Sequence, residues 1–256
     1  MGSLLANKNI VIMGLRNRWS IAWGIAQSAH TEGANLVFTY LGDREKEDVE
    51  KLVSTLGDYS IYNCDITSEV EIDSFFAKLK EKYGLIHGIV HSIAFAKSTD
   101  VQNGYVNTTR EGFSVAMEIS AYSLAAVTRR AKNLMTEGGS IITLTYMGSE
   151  KVFPGYNIMG VAKAALETGV KYLASEVGPS GIRVNAISAG PIKTISAKGV
   201  KDFNSILETA YQKAPLRRGI TLEDIGGSAV FLLSELSKGV TGEVLHVDCG
   251  LNIMGI

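Results

Sequence analysis

The sequence predicts a doubly wound α/β fold built on a seven-stranded parallel sheet, and three observations carry that prediction. Seven short apolar, β-branched runs are spread along the 256 residues. Longer helical patterns separate them, and the runs are apolar throughout rather than alternating. A strand that reads as one hydrophobic run is buried on both faces. A strand joined to the next by a helix needs a crossover, so together these features argue a parallel sheet covered on both sides.

In order, the runs are residues 9–13, 35–40, 60–63, 88–92, 140–145, 183–188 and 243–247. Behind the first, Gly14-Leu-Arg-Asn-Arg-Trp-Ser20-Ile21-Ala-Trp-Gly24 opens a helix. Gly14 allows a tight turn, Ser20 is placed to cap the helix and to meet a phosphate, and Gly24 allows close packing of helix on sheet. The strict G-x-G-x-x-G pattern is absent, and glycines between a strand and a helix are common in proteins that bind no nucleotide. Arg16 and Arg18 suit phosphate contact or plain solvation.

The second run ends in Tyr40-Leu41-Gly42-Asp43-Arg44, where Asp43 reads as an acceptor for a ribose hydroxyl or, by preference, as the cap of the next helix. Asp65 and Ile66 follow the third run. Residues 67–83 then show helical periodicity, with Thr67 as the cap and Ile72, Phe75, Phe76 and Leu79 on one apolar face. The fourth run leads into His91-Ser92-Ile93-Ala94-Phe95-Ala96 and the fifth into the segment from Tyr146 to Lys163.

That last segment holds two tyrosines and a lysine around a helix start. Pro154 and Gly155 break the preceding pattern, and Ala162, Ala164, Ala165 and Leu166 carry the helix onward, so Tyr156 sits near its N-terminus. Seven residues make almost two turns, which puts Tyr156 and Lys163 on one face, about 10 Å apart along the axis. The lysine stem leans back toward the tyrosine, so both heads can border one bound molecule without touching. A phenol can donate to an oxygen that gains negative charge, and an ammonium can hold a polyhydroxyl group and lend positive field. Taken alone, the spacing favours two packing tyrosines with wet hydroxyls and a solvated helix lysine.

After the sixth run, Ala189-Gly190-Pro191 leads into a stretch that turns amphipathic through Ala197, Val200, Phe203 and Ile206. This reads as a lid over the carboxyl ends of the strands, at about 189–213, or as an ordinary crossover. The apolar tail, 244–256, suits a subunit interface or an interior strand. No linker, repeat or low-complexity stretch divides the chain, so residues 1–256 are expected to form a single domain.

Composition excludes several classes. The net charge is −1 and the basic residues are scattered, which argues against a nucleic-acid partner. Cys64 and Cys249 form no C-x-x-C, and His30, His87, His91 and His246 match no ligand spacing, so no disulfide and no metal are expected. Two buried thiols in a reducing compartment, with no signal segment and no run long enough to span a bilayer, point to a cytoplasmic protein without a membrane span.

Together these residues resemble the short-chain dehydrogenase/reductase superfamily over essentially the whole chain, and more closely its bacterial enoyl-acyl-carrier-protein reductase branch. The ordinary superfamily pattern puts the lysine four residues after the tyrosine and a complete TGxxxGxG in the first loop. This chain has instead the gap from Tyr156 to Lys163, an additional Tyr146, and the Gly14 to Gly24 loop with Ser20. The run Ala189-Gly190-Pro191-Ile192-Lys193-Thr194 is similar to the family's nicotinamide-binding loop.

The resemblance implies a Rossmann-type reductase that takes a hydride from NADH to reduce the trans-2 double bond of enoyl thioesters on acyl carrier protein, the last step of the fatty-acid elongation cycle. Gly14, Ser20, Ile21, Leu41, Asp65, Ile66 and Ile93 would line the dinucleotide, with Asp65 and Ile66 at the adenine. Ile192, Lys193, Thr194, Ile195 and Ser196 would follow it to the nicotinamide end, where Lys163 holds the ribose. Tyr146, Tyr156 and Lys163 would be catalytic, and Ala96, Tyr146, Tyr156 and Met159 would border the acyl chain. The lack of a basic group at Leu41 or Gly42 leans toward NADH, while Arg44 and Lys46 leave NADP open. Lys198 and Lys201 remain for the carrier protein, where Asp202, Asn204 and Ser205 add no positive charge. A homotetramer is the family's common assembly. An ordinary carbonyl or alcohol oxidoreductase of the same superfamily and a dinucleotide-binding sensor or scaffold without turnover stand as competing readings; the lysine spacing opposes the first and the intact tyrosine and lysine set the second.

Overall fold

The computed structural model describes residues 3–194 and 203–255. Among these, the strands β1 (Asn9–Met13), β2 (Asn35–Tyr40), β3 (Ser60–Asn63), β4 (Gly88–His91), β5 (Gly139–Thr145), β6 (Ile182–Ala189) and β7 (Val244–Val247) form one sheet. Its order is β3-β2-β1-β4-β5-β6-β7, and every neighbouring pair is parallel. The first three strands match the predicted runs at both ends, and the other four agree to within one residue.

Strand side chains alternate between the faces, and here both faces are apolar. Ile10 and Ile12 of β1 join one core with Leu36 and Phe38, whereas Val11 and Met13 join the other with Val37 and Ile89. Helices α1 (Ile21–Thr31), α2 (Gly42–Val53) and α9 (Leu222–Leu233) cover the first face through Trp23, Ile25, Val49, Ile225 and Leu232. Helices α3 (Glu69–Tyr83), α6 (Ser123–Ala131) and α7 (Ile158–Val177) cover the second through Phe75, Leu79, Val127 and Leu166. Shorter helices, α4 (Ser98–Gln102) and α5 (Arg110–Met117), lie between β4 and α6, and α8 (Phe203–Lys213) precedes α9.

Several local expectations change. The cap of α3 is Ser68, whose hydroxyl accepts from the Glu71 amide at 3.3 Å. Thr67 donates instead to Asp65 Oδ1 at 2.7 Å. Asp43 is not a cap, because Leu41 holds that position and Asp43 lies in the first turn of α2, where its charge meets the helix dipole. The Gly42 amide at the start of the helix donates to Asn63 Oδ1 at 2.8 Å. Segment 244–256 supplies an edge strand rather than an interior one, since β7 pairs with β6 alone. Cys64 is buried and its thiol is pushed up to about 12 by desolvation, while Cys249 is only half-buried. No helix among the described residues is long and apolar enough to cross a membrane.

Gly24 serves a different contact from the expected one. A Cβ there would lie 2.6 Å from Leu222 Cβ and 2.8 Å from the Leu222 carbonyl oxygen, so the glycine lets α1 close on α9 rather than on the sheet. Gly24→Ala is expected to destabilise the protein by about 1–3 kcal/mol, the usual penalty for overpacking. A lowered urea midpoint at unchanged m-value would show it.

Candidate active site

All seven strands end at the same edge of the sheet, and the order reverses where β4 returns to the other side of β1. Ligands of open α/β sheets bind in the crevice at such a reversal. Gly14 lies at its floor with φ +86°, and a Cβ there would sit 2.0 Å from the Ser92 carbonyl oxygen and 3.2 Å from Ile93 Cγ1. The first turn of α1 opens beside it. Ser20 holds the cap position, but its hydroxyl donates to the Asn17 carbonyl at 2.6 Å and caps nothing. With no side-chain cap and no acid in the first turn, the positive end of α1 is left for an anion. A glycine floor with no room for a side chain and an uncapped helix end beside it fit the pyrophosphate of a dinucleotide.

Arg16 pairs with Glu45 of α2 at 2.7 Å, and Arg18 lies 4.5 Å over the Trp19 ring. Both guanidinium groups are therefore engaged within the protein. Leu41, about half exposed, links β2 to α2. That link and the Asp65 turn are braced together, because Asn63 joins the Gly42 amide to Glu71 and Glu71 accepts the Asp65 amide at 2.9 Å. Asp65 Oδ1 is occupied by the Thr67 amide and hydroxyl, and Ile66 is buried beneath. Behind β6, Ile192 and Thr194 are half-buried and Lys193 is exposed. Ile195, Ser196, Lys198 and Lys201 lie outside the described residues.

The loop behind β4 is held by one hydroxyl. Ser120, buried in a π turn at Glu118–Tyr122 between α5 and α6, accepts from the Phe95 amide and donates to the Phe95 carbonyl, both at 3.0 Å. Ala96 is thereby set into an apolar cluster with Tyr156, Met159, Ile158 and Val101. Three of the four residues expected to border an acyl chain thus share one cluster. The fourth, Tyr146, leaves the end of β5 and meets the Tyr156 ring edge-on at 5.1 Å and 71°, with Phe153 on its other side at 5.1 Å. Gly148 was not singled out from sequence, yet a Cβ there would lie 2.5 Å from the Tyr156 ring. Asn157 turns the chain into α7 with φ +41°, its amide bonded to the Val101 carbonyl.

Lys163 is 6% exposed, and its ammonium donates to the Leu144 carbonyl at 2.8 Å. Burial lowers its pKa to about 8, against the opposing pull of the Glu167 carboxylate. Burial pushes the Tyr146 and Tyr156 phenols upward, and for Tyr156 the proximity of Tyr146 and Glu167 adds to it. Both tyrosines are therefore protonated hydrogen-bond donors. Below them His91 is fully buried, with Nε2 2.9 Å from Ser123 Oγ and Nδ1 3.1 Å from Thr143 Oγ1. The Ser123 hydroxyl also donates to the Ile119 carbonyl at 2.7 Å, and the Thr143 hydroxyl to the His91 carbonyl at 3.1 Å. Desolvation, helped by the Lys163 charge, lowers His91 to about 3.

Comparison with known proteins agrees with this geometry. The family model described as enoyl-(acyl carrier protein) reductase matches residues 14–252. The chain is 54% identical over 255 residues to the enoyl-[acyl-carrier-protein] reductase [NADH] FabI of Bacillus subtilis, covering 99% of each. It superposes with a TM-score of 0.98 on the Bacillus cereus enoyl-acyl carrier protein reductase with NADP+ and indole naphthyridinone, at 55% identity over 99% of this chain and 100% of that one. The reductase of Anaplasma phagocytophilum in complex with NAD gives a TM-score of 0.97 at 45% identity, covering 100% of this chain and 98% of that one.

His91 makes stability pH-dependent in a stated direction. Its folded pKa of about 3 lies below the ordinary 6.5, so the unfolded chain binds the extra proton between these values. The contribution is complete above pH 6.5 and is lost as pH falls toward 3. Between pH 7 and 4.5 the loss from this group is about 2–3 kcal/mol. A His91→Gln variant should show a flatter dependence of unfolding free energy on pH over that interval, read from denaturant midpoints.

Proposed function

The chain belongs to the enoyl-(acyl carrier protein) reductase family, and from that premise we propose how its residues divide the reaction. The enzyme reduces the trans-2 double bond of an enoyl chain held as a thioester on acyl carrier protein, completing a round of fatty-acid elongation. The observation that carries the residue assignment is a protonated Tyr156 phenol, edge-on to Tyr146, at the open edge of the sheet where Lys163 is buried.

NADH, when bound, supplies the hydride that enters the β-carbon of the enoyl group. Gly14, Ser20, Ile21 and Ile93 hold its pyrophosphate region, Leu41, Asp65 and Ile66 its adenosine end, and Ile192 to Ser196 its nicotinamide end. Lys163, which keeps one ammonium hydrogen on the Leu144 carbonyl, would offer another to the nicotinamide ribose and lend its positive charge to the reacting centre. Negative charge then gathers on the thioester oxygen, and the Tyr156 hydroxyl donates a hydrogen bond to it. Among the apolar side chains that surround Tyr156, such a donor is worth more than in solution. Because burial makes Tyr156 a weak acid, it stabilises the enolate without giving up its proton. Protonation at the α-carbon yields the saturated chain.

Tyr146 orients the Tyr156 ring and borders the acyl chain with Ala96 and Met159. Segment 189–213 acts as the lid of a single domain spanning 1–256; the support is that Ala210 of α8 shares an apolar cluster with Tyr146 and Phe153. Lys198 and Lys201, outside the described residues, are the basic side chains this segment offers the carrier protein, with other residues free to share that contact. A homotetramer in the cytoplasm completes the reading, supported by the large apolar groups Phe113, Tyr122 and Tyr172 on the outer helix faces and by the two free thiols.

Oxidation of NADH by a short trans-2-enoyl thioester, with none by a 3-keto thioester, is the expected result; the reverse selectivity would move the protein to the ketoreductases. Tyr156→Phe should lower kcat by about 10²–10³-fold, the loss typical of one oxyanion donor. Leu41→Arg places a guanidinium where a 2′-phosphate would lie, so it should raise kcat/KM with NADPH relative to NADH.

A further inference from the structure

We propose that Glu167, one helical turn beyond Lys163, is a positioning residue: the buried counter-charge that sets Lys163 and the end of β5 in their working relation. Glu167 is 9% exposed, and its Oε1 accepts from the Thr145 hydroxyl at 2.5 Å. Lys163 Nζ donates to the carbonyl of Leu144, the residue before Thr145, at 2.8 Å. Two consecutive residues of β5 are therefore bound by two side chains four apart on α7. Tyr146 is the next residue, so these two bonds fix the point from which its ring departs toward Tyr156.

The chemistry of the carboxylate argues the same role. A buried carboxylate is costly unless paired or well hydrogen-bonded. A lone hydroxyl leaves most of its lone pairs unserved, and residues four apart on a helix share a face, so the buried ammonium of Lys163, though beyond ion-pair contact, is the cation on the same face of α7. From β4, His91 also faces Lys163, but with its pKa near 3 it is neutral at working pH. Tyr156 faces Tyr146 and Glu167, and Tyr146 is uncharged because its own phenol is held well above the ordinary range. Glu167 thus supplies the negative charge that keeps the proton on both Lys163 and Tyr156, opposing the burial that would strip the lysine. Both functional groups must be protonated to act as assigned, and one carboxylate serves them together.

The catalytic meaning of this residue rests on the proposed reaction, but its electrostatic effect can be read in the protein alone. With lysine labelled at 13Cε, the Lys163 resonance of Glu167→Gln is expected to titrate about one pH unit lower than in the parent, the usual size of losing one nearby opposite charge. Coincident titration in the two proteins would overturn the proposal. In the unmodified protein, glutamate labelled at 13Cδ should show the Glu167 resonance moving at the pH where Lys163 loses its proton; a resonance silent through that transition would also overturn it, whether or not the variant folds. In turnover, the alkaline limb of kcat/KM should move down with the Lys163 titration in Glu167→Gln and be restored by Glu167→Asp, which keeps the charge. A variant that merely loses thermal stability while its limb stays in place defeats the proposal and leaves enoyl reduction by the parent untouched. Absence of enoyl reduction in the parent would defeat the assigned reaction and leave the resonance test standing.

Discussion

Every strand of the sheet runs the same way, and the five inner strands bury both of their faces. In β1, Ile10 and Ile12 go to one core while Val11 and Met13 go to the other, so neither side of the sheet can be left to water. Helices must therefore lie on both faces, and each connection must cross from one end of the sheet to the other. From this follows the one-sided placement of function. The turns behind the strands all emerge at one edge, and Gly14, Leu41, Asp65, Ile93, Tyr146 and Ile192 share that edge although they are scattered through the chain.

Close approach is what makes the edge usable. Gly14 brings the end of β1 against the Ser92 carbonyl, and Gly148 gives the Tyr156 ring its seat. Ser120 pins the Phe95 backbone through both its amide and its carbonyl, from a π turn, a departure from α-helical geometry that recurs at functional sites. These contacts rely on the absence or shortness of a side chain, so they carry little hydrophobic signal of their own.

The charges in the centre are held inside the protein rather than in water. Lys163 at 6% exposure, the two phenols and the neutral His91 show the effect of desolvation on each group: the lysine and histidine lose proton affinity and the phenols gain it. The gap between Tyr156 and Lys163 separates them enough that the lysine bonds a strand carbonyl and not the phenol. A tyrosine left weakly acidic suits a reaction that needs an oxyanion donor more than a proton donor.

By itself, the sequence determined the strands, the two-faced core and the candidates for the residues that carry chemistry. Apolar runs and helical periodicity are local properties, and a tyrosine and a lysine in an unusual spacing are legible as motifs. Caps were less legible: Thr67 and Ser68, or Leu41 and Asp43, differ by one or two positions, and the competing hydrogen bond that decides between them comes from a distant residue such as Asn63 or within a turn such as that of Asp65. Gly24 was recognisable as a packing glycine, but its partner, Leu222 of α9, lies 198 positions away. Only the tertiary structure decided which face it meets, that Arg16 is engaged by Glu45, and that Glu167 and Lys163 bind the consecutive residues Thr145 and Leu144. The physical reason is common to all three: burial and pairing are properties of what surrounds a side chain, and the surroundings are assembled from segments that the linear order keeps apart.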